Sequence, residues 1–359
     1  MKSTKRLVIK IGSNVLAKSN EELDVSRIKK LTEQISELHS MGIEVILVSS
    51  GAVASGRTLL QLSDKMDVVS KRQILASVGQ VKLLNIYSEL FGKEGLLCAQ
   101  VLVTKEDFRD REHYLNMKNC INALLQNKVI PVINENDVIS VTELMFTDND
   151  ELAGLVSGMA DAAKLIILSN VDGIYNGSPN DPASKVIPEI AYGHTDAAEF
   201  VTTEKSNFGR GGMMTKFTMA QKVAGLGIPV HIANGKKDKI LLDIINNKAV
   251  GTIFTPKKNA SSIKKWVAHS EGFTKAVIFI DAGAEKALAS EKPTSLLPVG
   301  VIKIEGEFKK GDLLKICNKS GKQIGVGRAQ YNSEKARTSM RKKNEKALVH
   351  YDYLFLNIE

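Results

Sequence analysis

Leu7-Val8-Ile9-Lys10-Ile11-Gly12-Ser13 is a short apolar run that closes on a lysine, a glycine and a serine. A run of this length, apolar on both faces, reads as a buried parallel strand, and a glycine just beyond it lets backbone N–H groups approach an anion. A second lysine-glycine element stands far downstream, in Gly209-Arg210-Gly211-Gly212-Met213-Met214-Thr215-Lys216. Here glycines remove the obstruction of a Cβ, an expected helix start adds the positive end of its dipole, and Lys216 brings a mobile full charge. Two lysines on two glycine loops point to phosphoryl transfer.

Outward from the first run, residues 43–48, 96–103, 129–133, 165–168 and 228–232 are also rich in Val, Ile and Leu and read as buried parallel strands. Helical patterns fill the gaps. Val25, Ile28, Leu31, Ile35 and Leu38 recur at helical spacing, Asp24 stands where an N-cap would, and Gly42 stands where a left-handed residue would stop the helix. The alternation predicts an α/β three-layer sandwich, with helices on both faces of a mainly parallel sheet. Ligands of such sheets gather at the carboxyl ends of the strands.

The polar loops fall at those ends. Lys10 closes the first strand, Ser49-Ser50-Gly51-Ala52 follows the second, Asn134-Glu135-Asn136-Asp137 follows 129–133, and Ser169-Asn170 follows 165–168. Ser, Asn, Asp and Gly are also the ordinary residues of turns, so shared placement, not composition, marks them as functional. In Phe146-Thr147-Asp148-Asn149-Asp150-Glu151-Leu152, Asp150 has two readings: an N-cap for the helix through Leu155 and Val156, or a counter-charge that positions two catalytic lysines.

Composition narrows the alternatives. With 359 residues, 43% of them hydrophobic, and a mean hydropathy of −0.08, the chain is expected to bury a sizeable core in two domains. The short apolar stretch before Lys10 is no signal-peptide core, and no run reaches the ~18 residues of a membrane span, which predicts a cytoplasmic protein. Cys98, Cys120 and Cys317 lack metal or redox spacing and read as buried thiols. Gly306 and Gly311 have the spacing of a nucleotide P-loop, but Asp312 stands where its lysine must be. The turn at 209 has Met214 where a dinucleotide fingerprint needs its third glycine. The net charge of +9 resides in the tail: residues 257–359 hold 20 Lys/Arg against 11 Asp/Glu, while residues 1–256 hold 29 of each. Thr255-Pro256-Lys257-Lys258-Asn259 reads as the join.

Lys10-Ile11-Gly12-Ser13, Ser49 to Ala52, Asn134 to Asp137, Asp148-Asn149-Asp150 and Gly211-Gly212-Met213 with Thr215-Lys216, in this order, resemble the glutamate-phosphorylating branch of the amino-acid kinase family. Ile280-Asp281-Ala282-Gly283-Ala284, Ser295 to Gly300 and Gly306 to Asp312 resemble its appended PUA domain, a small β-rich module. The resemblance implies a catalytic domain at 1–256, a linker at 257–272 and a PUA-like domain at 273–355. It also implies ATP-dependent phosphorylation of the side-chain carboxylate of L-glutamate, the first step toward proline, with proline as inhibitor.

By the same resemblance Lys10, Lys216 and Asp150 are catalytic, and Ser50, Gly51, Asn134, Asp137, Asp148 and Asn149 bind glutamate, Asp137 being suited to its ammonium. Lys10, Gly12, Ser13, Ser169, Asn170, Arg210, Gly211, Gly212, Met213, Met214, Thr215 and Lys216 serve ATP, which carries Mg²⁺; no residue is assigned as a direct metal ligand. Partners implied are a second copy of the chain and glutamyl phosphate reductase, with no nucleic acid and no membrane. The chain departs from the family at Ser169-Asn170, where Thr-Asp is usual, at Arg210, where threonine is usual, and at Arg341-Lys342-Lys343-Asn344, where a glycine is expected. Another amino-acid kinase, or an RNA-binding protein using the basic tail, are the alternative readings.

Overall fold

Strand β1 (Arg6–Ile11) lies inside an eight-stranded sheet, hydrogen-bonded in parallel on both sides, and it organises the larger part of the molecule. The computed structural model describes residues 5–18, 22–63, 65–109, 111–140, 146, 148–178, 181–194, 212–256, 274–290 and 294–356. The chain divides into two units, Met1–Lys258 and Asn259–Glu359. The linker expected at 257–272 lies outside the described residues, as do Arg210 and Gly211.

In the first unit β2 (Glu44–Ser49), β3 (Leu97–Val103), β4 (Val129–Glu135), β5 (Lys164–Ser169), β6 (Glu189–Ala191), β7 (Val230–Asn234) and β8 (Thr252–Thr255) complete the order β3-β4-β2-β1-β5-β7-β8-β6. Pairing is parallel except between β7 and β8, so the sheet is mainly parallel. The sequence reading found neither β6 nor β8, which have three and four residues and too little pattern to register. It also took β3 for a buried strand. β3 is the outermost strand, and its Leu97 is 70% exposed.

Helices flank both faces. These are α1 (Ser13–Leu16), α2 (Val25–Ser40), α3 (Ala52–Arg57), α4 (Val68–Lys93), α5 (Lys105–Arg109), α6 (Arg111–Gln126), α7 (Asn149–Met159), α8 (Met213–Gly225) and α9 (Ile240–Ile245). Successive strand residues point to opposite faces. Leu7, Ile9 and Ile11 enter one core layer with Ile28, Leu31, Ile35 and Leu38 of α2, Leu83 of α4 and Leu241 of α9. Each of these burials is worth about 1.5–3 kcal/mol, which is what holds α2 to the sheet. Val8 and Lys10 point the other way, to the face where α7 packs on β1 and β5 and α8 on β7. As the sequence predicts, Asp24 caps α2 by accepting from the Arg27 amide at 2.9 Å, and Gly42 is left-handed (φ 78°) just beyond its end.

The second unit is a five-stranded sheet in the order β10-β9-β11-β12-β13, formed by β9 (Ala276–Ile280), β10 (Val301–Glu305), β11 (Leu313–Cys317), β12 (Gln323–Ala329) and β13 (Val349–Leu356). Helices α10 (Ala282–Leu288) and α11 (Ser333–Ser339) accompany it over a core that includes Ile278, Leu314, Ile316 and Val349. Gly306 to Asp312 joins β10 to β11, with no helix after it, so it has none of the strand-loop-helix context of a phosphate loop. Where the sequence lacks the glycine expected near 341–344, Arg341 and Asn344 adopt left-handed backbone themselves (φ 65° and 60°). Arg341 is held there by its amide on Pro298 O and its guanidinium on Asp281, at 2.9 and 2.8 Å.

Of the three cysteines only Cys317 is buried; Cys98 is half-buried on edge strand β3, and Cys120 is exposed on α6, which corrects the reading of all three as core thiols. Among the described residues no helix is long and apolar enough to cross a membrane.

Helices α3 and α4 meet backbone to backbone. A Cβ added at Gly79 would lie 1.8 Å from the Ala52 carbonyl oxygen, whereas one added at Gly92, in the same helix, meets nothing within 4 Å. Gly79→Ala is therefore expected to destabilise by about 2 kcal/mol or more through overpacking, although alanine is the better helix former. Gly92→Ala should stabilise by about 0.5 kcal/mol. Urea unfolding of the two variants checks the opposite signs.

Candidate active site

The strand order reverses direction around β1, and there, at the carboxyl ends of the strands, a cavity of about 430 Å³ opens. Lys10, Gly12 and Ser13 reach it from β1 and the turn after it, Ser50 and Gly51 from the end of β2, Asn134 and Asp137 from the end of β4. Asp148, Asn149 and Asp150 line it from the start of α7, Ser169 and Asn170 from the end of β5, Gly212, Met213 and Lys216 from the start of α8. The structure thus gathers most of the sequence-predicted site into one space. Met214 and Thr215 lie on α8 without lining it.

At its floor sits a buried triad. The Lys10 Nζ lies 2.6 Å from Asp150 Oδ1 and the Lys216 Nζ 2.9 Å from Asp150 Oδ2; Asp150 is fully buried, and the lysines are 4% and 9% exposed. Burial disfavours the Asp150 carboxylate, but the two ammonium groups, Lys10 foremost, outweigh it and hold its pKa down at about 2. The lysines diverge. Burial pulls Lys10 below the usual lysine value despite Asp150, while for the less buried Lys216 the attraction of Asp150 prevails and the pKa is raised. Close approach to Lys10 needs glycine at 12, because a Cβ there would be 3.1 Å from the Leu168 carbonyl oxygen and 3.5 Å from Lys10 Nζ.

Asp150 is not the N-cap of α7. That part is taken by Asp148, whose Oδ1 accepts from the amides of Asp150 and Glu151 at 2.9 and 3.1 Å, and whose Oδ2 accepts from Thr215 Oγ1 at 2.8 Å. Asp148 so ties the start of α7 to that of α8. Burial, and then the Asp150 charge, raise its pKa above the ordinary carboxylate value.

A polar network extends from α7 to the loops after β2 and β4. Asn149 Nδ2 donates to Ser50 Oγ at 2.9 Å, to Asn134 Oδ1 at 3.0 Å and to Ser49 O at 3.3 Å. Helix α4 supports it from behind: Gln80 accepts from Asn134 Nδ2 at 3.0 Å, and the Tyr87 hydroxyl meets Ser49 Oγ at 2.8 Å. Burial raises the Tyr87 pKa, which leaves it a neutral partner. Gly51, left-handed at φ 110°, makes the turn into α3.

Arg72, the fifth residue of α4, lies against both Glu135 and Asp137 in the same cavity. Sequence reasoning missed it, as it missed Asn14, Arg57, Glu135 and Val171 among the lining residues. A single arginine beside Lys71 gives no signal in the sequence, for a basic pair on a helix usually marks a solvated face.

Among the described residues no group of three His, Cys, Asp or Glu side chains is placed to hold a metal ion. The donors nearest the triad agree, because both oxygens of Asp148 and both of Asp150 are engaged by amides, Thr215 and the lysines.

Residues 5–234 match the amino acid kinase family, and residues 276–351 match the PUA domain. The chain is 54% identical to a glutamate 5-kinase of Bacteroides thetaiotaomicron, over 98% of each chain. It is 48% identical to a glutamate 5-kinase of Chlorobaculum tepidum, over 98% of this chain and 97% of that one. Among solved structures, carbamate kinase from Giardia lamblia bound to AMP-PNP is 19% identical and superposes with a TM-score of 0.53 over 72% of this chain and 100% of that one, a likeness of fold.

Asp150→Asn removes the counter-charge of two buried ammonium groups and is expected to cost about 3–5 kcal/mol at neutral pH. The Asp150 pKa is lower in the fold than the usual 3.8, so its stabilising contribution is complete above that value and fades as pH falls toward 2. Urea unfolding at pH 7, 5 and 3 should show a deficit that is large at the first two and shrinks at the third.

Proposed function

This chain belongs to the amino acid kinase family, and we propose that it transfers the terminal phosphoryl group of ATP to the side-chain carboxylate of L-glutamate, giving L-glutamyl 5-phosphate. The observation that carries the proposal is the buried pair of ammonium groups on one carboxylate at the floor of the cavity. A carboxylate is already an anion at neutral pH, so the acceptor needs no general base. Its oxygen attacks the terminal phosphorus; the new O–P bond forms as the bond from that phosphorus to the bridging oxygen breaks, and ADP leaves with the electron pair. The difficulty is electrostatic, since two anions must meet and charge must move onto the leaving oxygen. Lys10 and Lys216, fixed by Asp150, answer that demand without reorganising.

On this reading the loops divide by chemistry. Ser50, Gly51, Asn134, Asp137 and Asn149 receive glutamate, with Asp137 on its ammonium, while Asp148 fixes the α7 start beside them. Gly12, Ser13, Ser169, Asn170 and the segment from Arg210 to Lys216 receive the nucleotide. Ser169-Asn170 keeps hydrogen-bonding groups with one charge fewer than the usual Thr-Asp. Magnesium supplies charge neutralisation as part of the nucleotide substrate, and no protein ligand is assigned to it. Proline, which has the same α-carboxylate and a related ammonium, is proposed to inhibit from the glutamate end. A cytoplasmic homo-oligomer that passes its labile acyl phosphate to glutamyl phosphate reductase completes the proposal.

Purified protein with ATP, Mg²⁺ and L-glutamate should form an acyl phosphate that hydroxylamine traps as a hydroxamate; turnover independent of glutamate, or equal with aspartate, would contradict the assignment. Lys216→Ala should lower kcat about 10²-fold or more, the scale of one preorganised charge-stabilising group, while Asp137→Ala should act mainly on the KM for glutamate.

Every described residue that lines the cavity precedes the PUA domain. A chain ending at Lys258 should therefore melt cooperatively and still phosphorylate glutamate. A cooperative melt without activity would assign part of the active site to residues 259–359.

A further inference from the structure

The same cavity holds a second charged cluster, distinct from the lysine triad. Glu135, the last residue of β4, and Asp137, two residues on, are 4% and 9% exposed, and Arg72 Nη2 reaches both, at 3.2 Å from Glu135 Oε2 and in a closer contact with Asp137 Oδ1. The neighbouring Gln73 Nε2 donates to Val138 O at 2.6 Å, so the start of α4 grips the same loop twice. Glu135 also accepts from the Phe146 amide at 2.9 Å. Among the described residues, the other charges facing Glu135 are Asp137 on its own loop and Glu151 of α7; Glu151 is itself paired with Lys105 at 2.8 Å.

Two buried carboxylates on one guanidinium resist ionising together. Burial foremost raises Glu135, which stands at about 7 with the Phe146 amide and Arg72 pulling it down and Asp137 and Glu151 pushing it up; burial also raises Asp137 above its usual value, against the pull of Arg72. An Asp137 that holds a proton has no charge to offer an ammonium group. We propose that Arg72 is a positioning residue for the amino-acid substrate, holding Asp137 as an oriented anion while Glu135 shares the same guanidinium nitrogen. The inference rests on the reading of Asp137 as the partner of the glutamate ammonium. Arg72 makes no contact with the phosphoryl group in this account, so it acts on binding and leaves the chemical step to the lysines.

The test measures KM and kcat for glutamate, and melting without substrate, across pH. In Arg72→Gln the KM relative to the parent should rise at least about tenfold at pH 6.5 and fall back toward the parent's at pH 8.5, because rising pH favours ionisation of carboxylates that burial has raised. kcat should stay within about twofold. Taking the ratio at each pH cancels titration of the substrate itself. Arg72→Lys should be intermediate, because it keeps the positive charge on a differently shaped head, and it stands in if Arg72→Gln does not fold. Without substrate, the carboxylates of Arg72→Gln have pKa values raised above their unfolded ones, so their ionisation opposes folding increasingly as pH rises, and the deficit in Tm should widen from pH 5 to pH 8.

A KM increase equal at both pH values, or a fall in kcat at unchanged KM, overturns the proposal; so does a deficit in Tm that does not vary with pH. Absence of glutamate turnover in the parent protein would count against the functional reading alone, and the melts would still decide whether Arg72 holds the two carboxylates ionised.

Discussion

The constraint on which the larger unit depends is that two ammonium groups are buried together and, among the described residues, Asp150 alone neutralises them at contact distance. An ammonium group stripped of water is costly, and two of them side by side are tolerable only with an anion between. The three side chains come from three elements, β1, α7 and α8, so the charge balance fixes where those elements must lie. It also explains the start of α7. With Asp148 as the cap, Asp150 falls in the first turn, where the helix dipole favours a carboxylate and where that carboxylate lies beneath β1.

Helix α4 does for the amino-acid loops what Asp150 does for the lysines. Arg72, Leu75, Ala76, Gly79, Gln80, Leu83 and Tyr87 recur at three and four residues and so share one face. On that face polar groups alternate with packing ones. Arg72 holds Glu135 and Asp137, Gln80 holds Asn134, and Tyr87 holds Ser49, while Gly79 lets α3 approach to backbone contact. The loops after β2 and β4 are therefore set by a rigid helix, which is how turn residues can define a binding site without wandering.

Much of this was legible in the sequence, for identifiable reasons. Lys10 and Lys216 were visible because each combines a glycine turn with the end of a strand or the start of a helix, patterns that are local. The chain order of the polar loops located the site because parallel sheets place strand ends together. What was not legible depends on distance along the chain. Arg72 is more than sixty residues from its carboxylate partners and stands beside Lys71 in what reads as a solvated helix start. Asp150 was open between N-cap and counter-charge because it precedes the apolar run, and the lysines that engage it, like the capping role of Asp148, are seen only in the fold. β3 reads as buried because its composition is apolar, but its outermost position is a property of the sheet. Arg341 and Asn344 show a further limit: the left-handed backbone was met by residues other than glycine, with Asp281 and Pro298 holding Arg341 in place.

The two clusters give the cavity a polarity that neither has alone. At the floor, two ammonium groups share one carboxylate, and the charge of Asp148 is already committed to the α7 amides and Thr215, so cations are in excess where phosphoryl charge develops. At the end of β4, two carboxylates contact one guanidinium nitrogen, so acidic groups gather where, on the proposed reading, an ammonium docks. On the proposed reading, glutamate has a side-chain end of net negative charge and an α end where an ammonium stands beside a carboxylate, with no net charge. Reversing the molecule would take the ammonium away from Asp137 and bring the net negative end toward Asp137 and Glu135. On that reading, orientation follows from charge before any shape is matched, with the side-chain carboxylate toward the lysines.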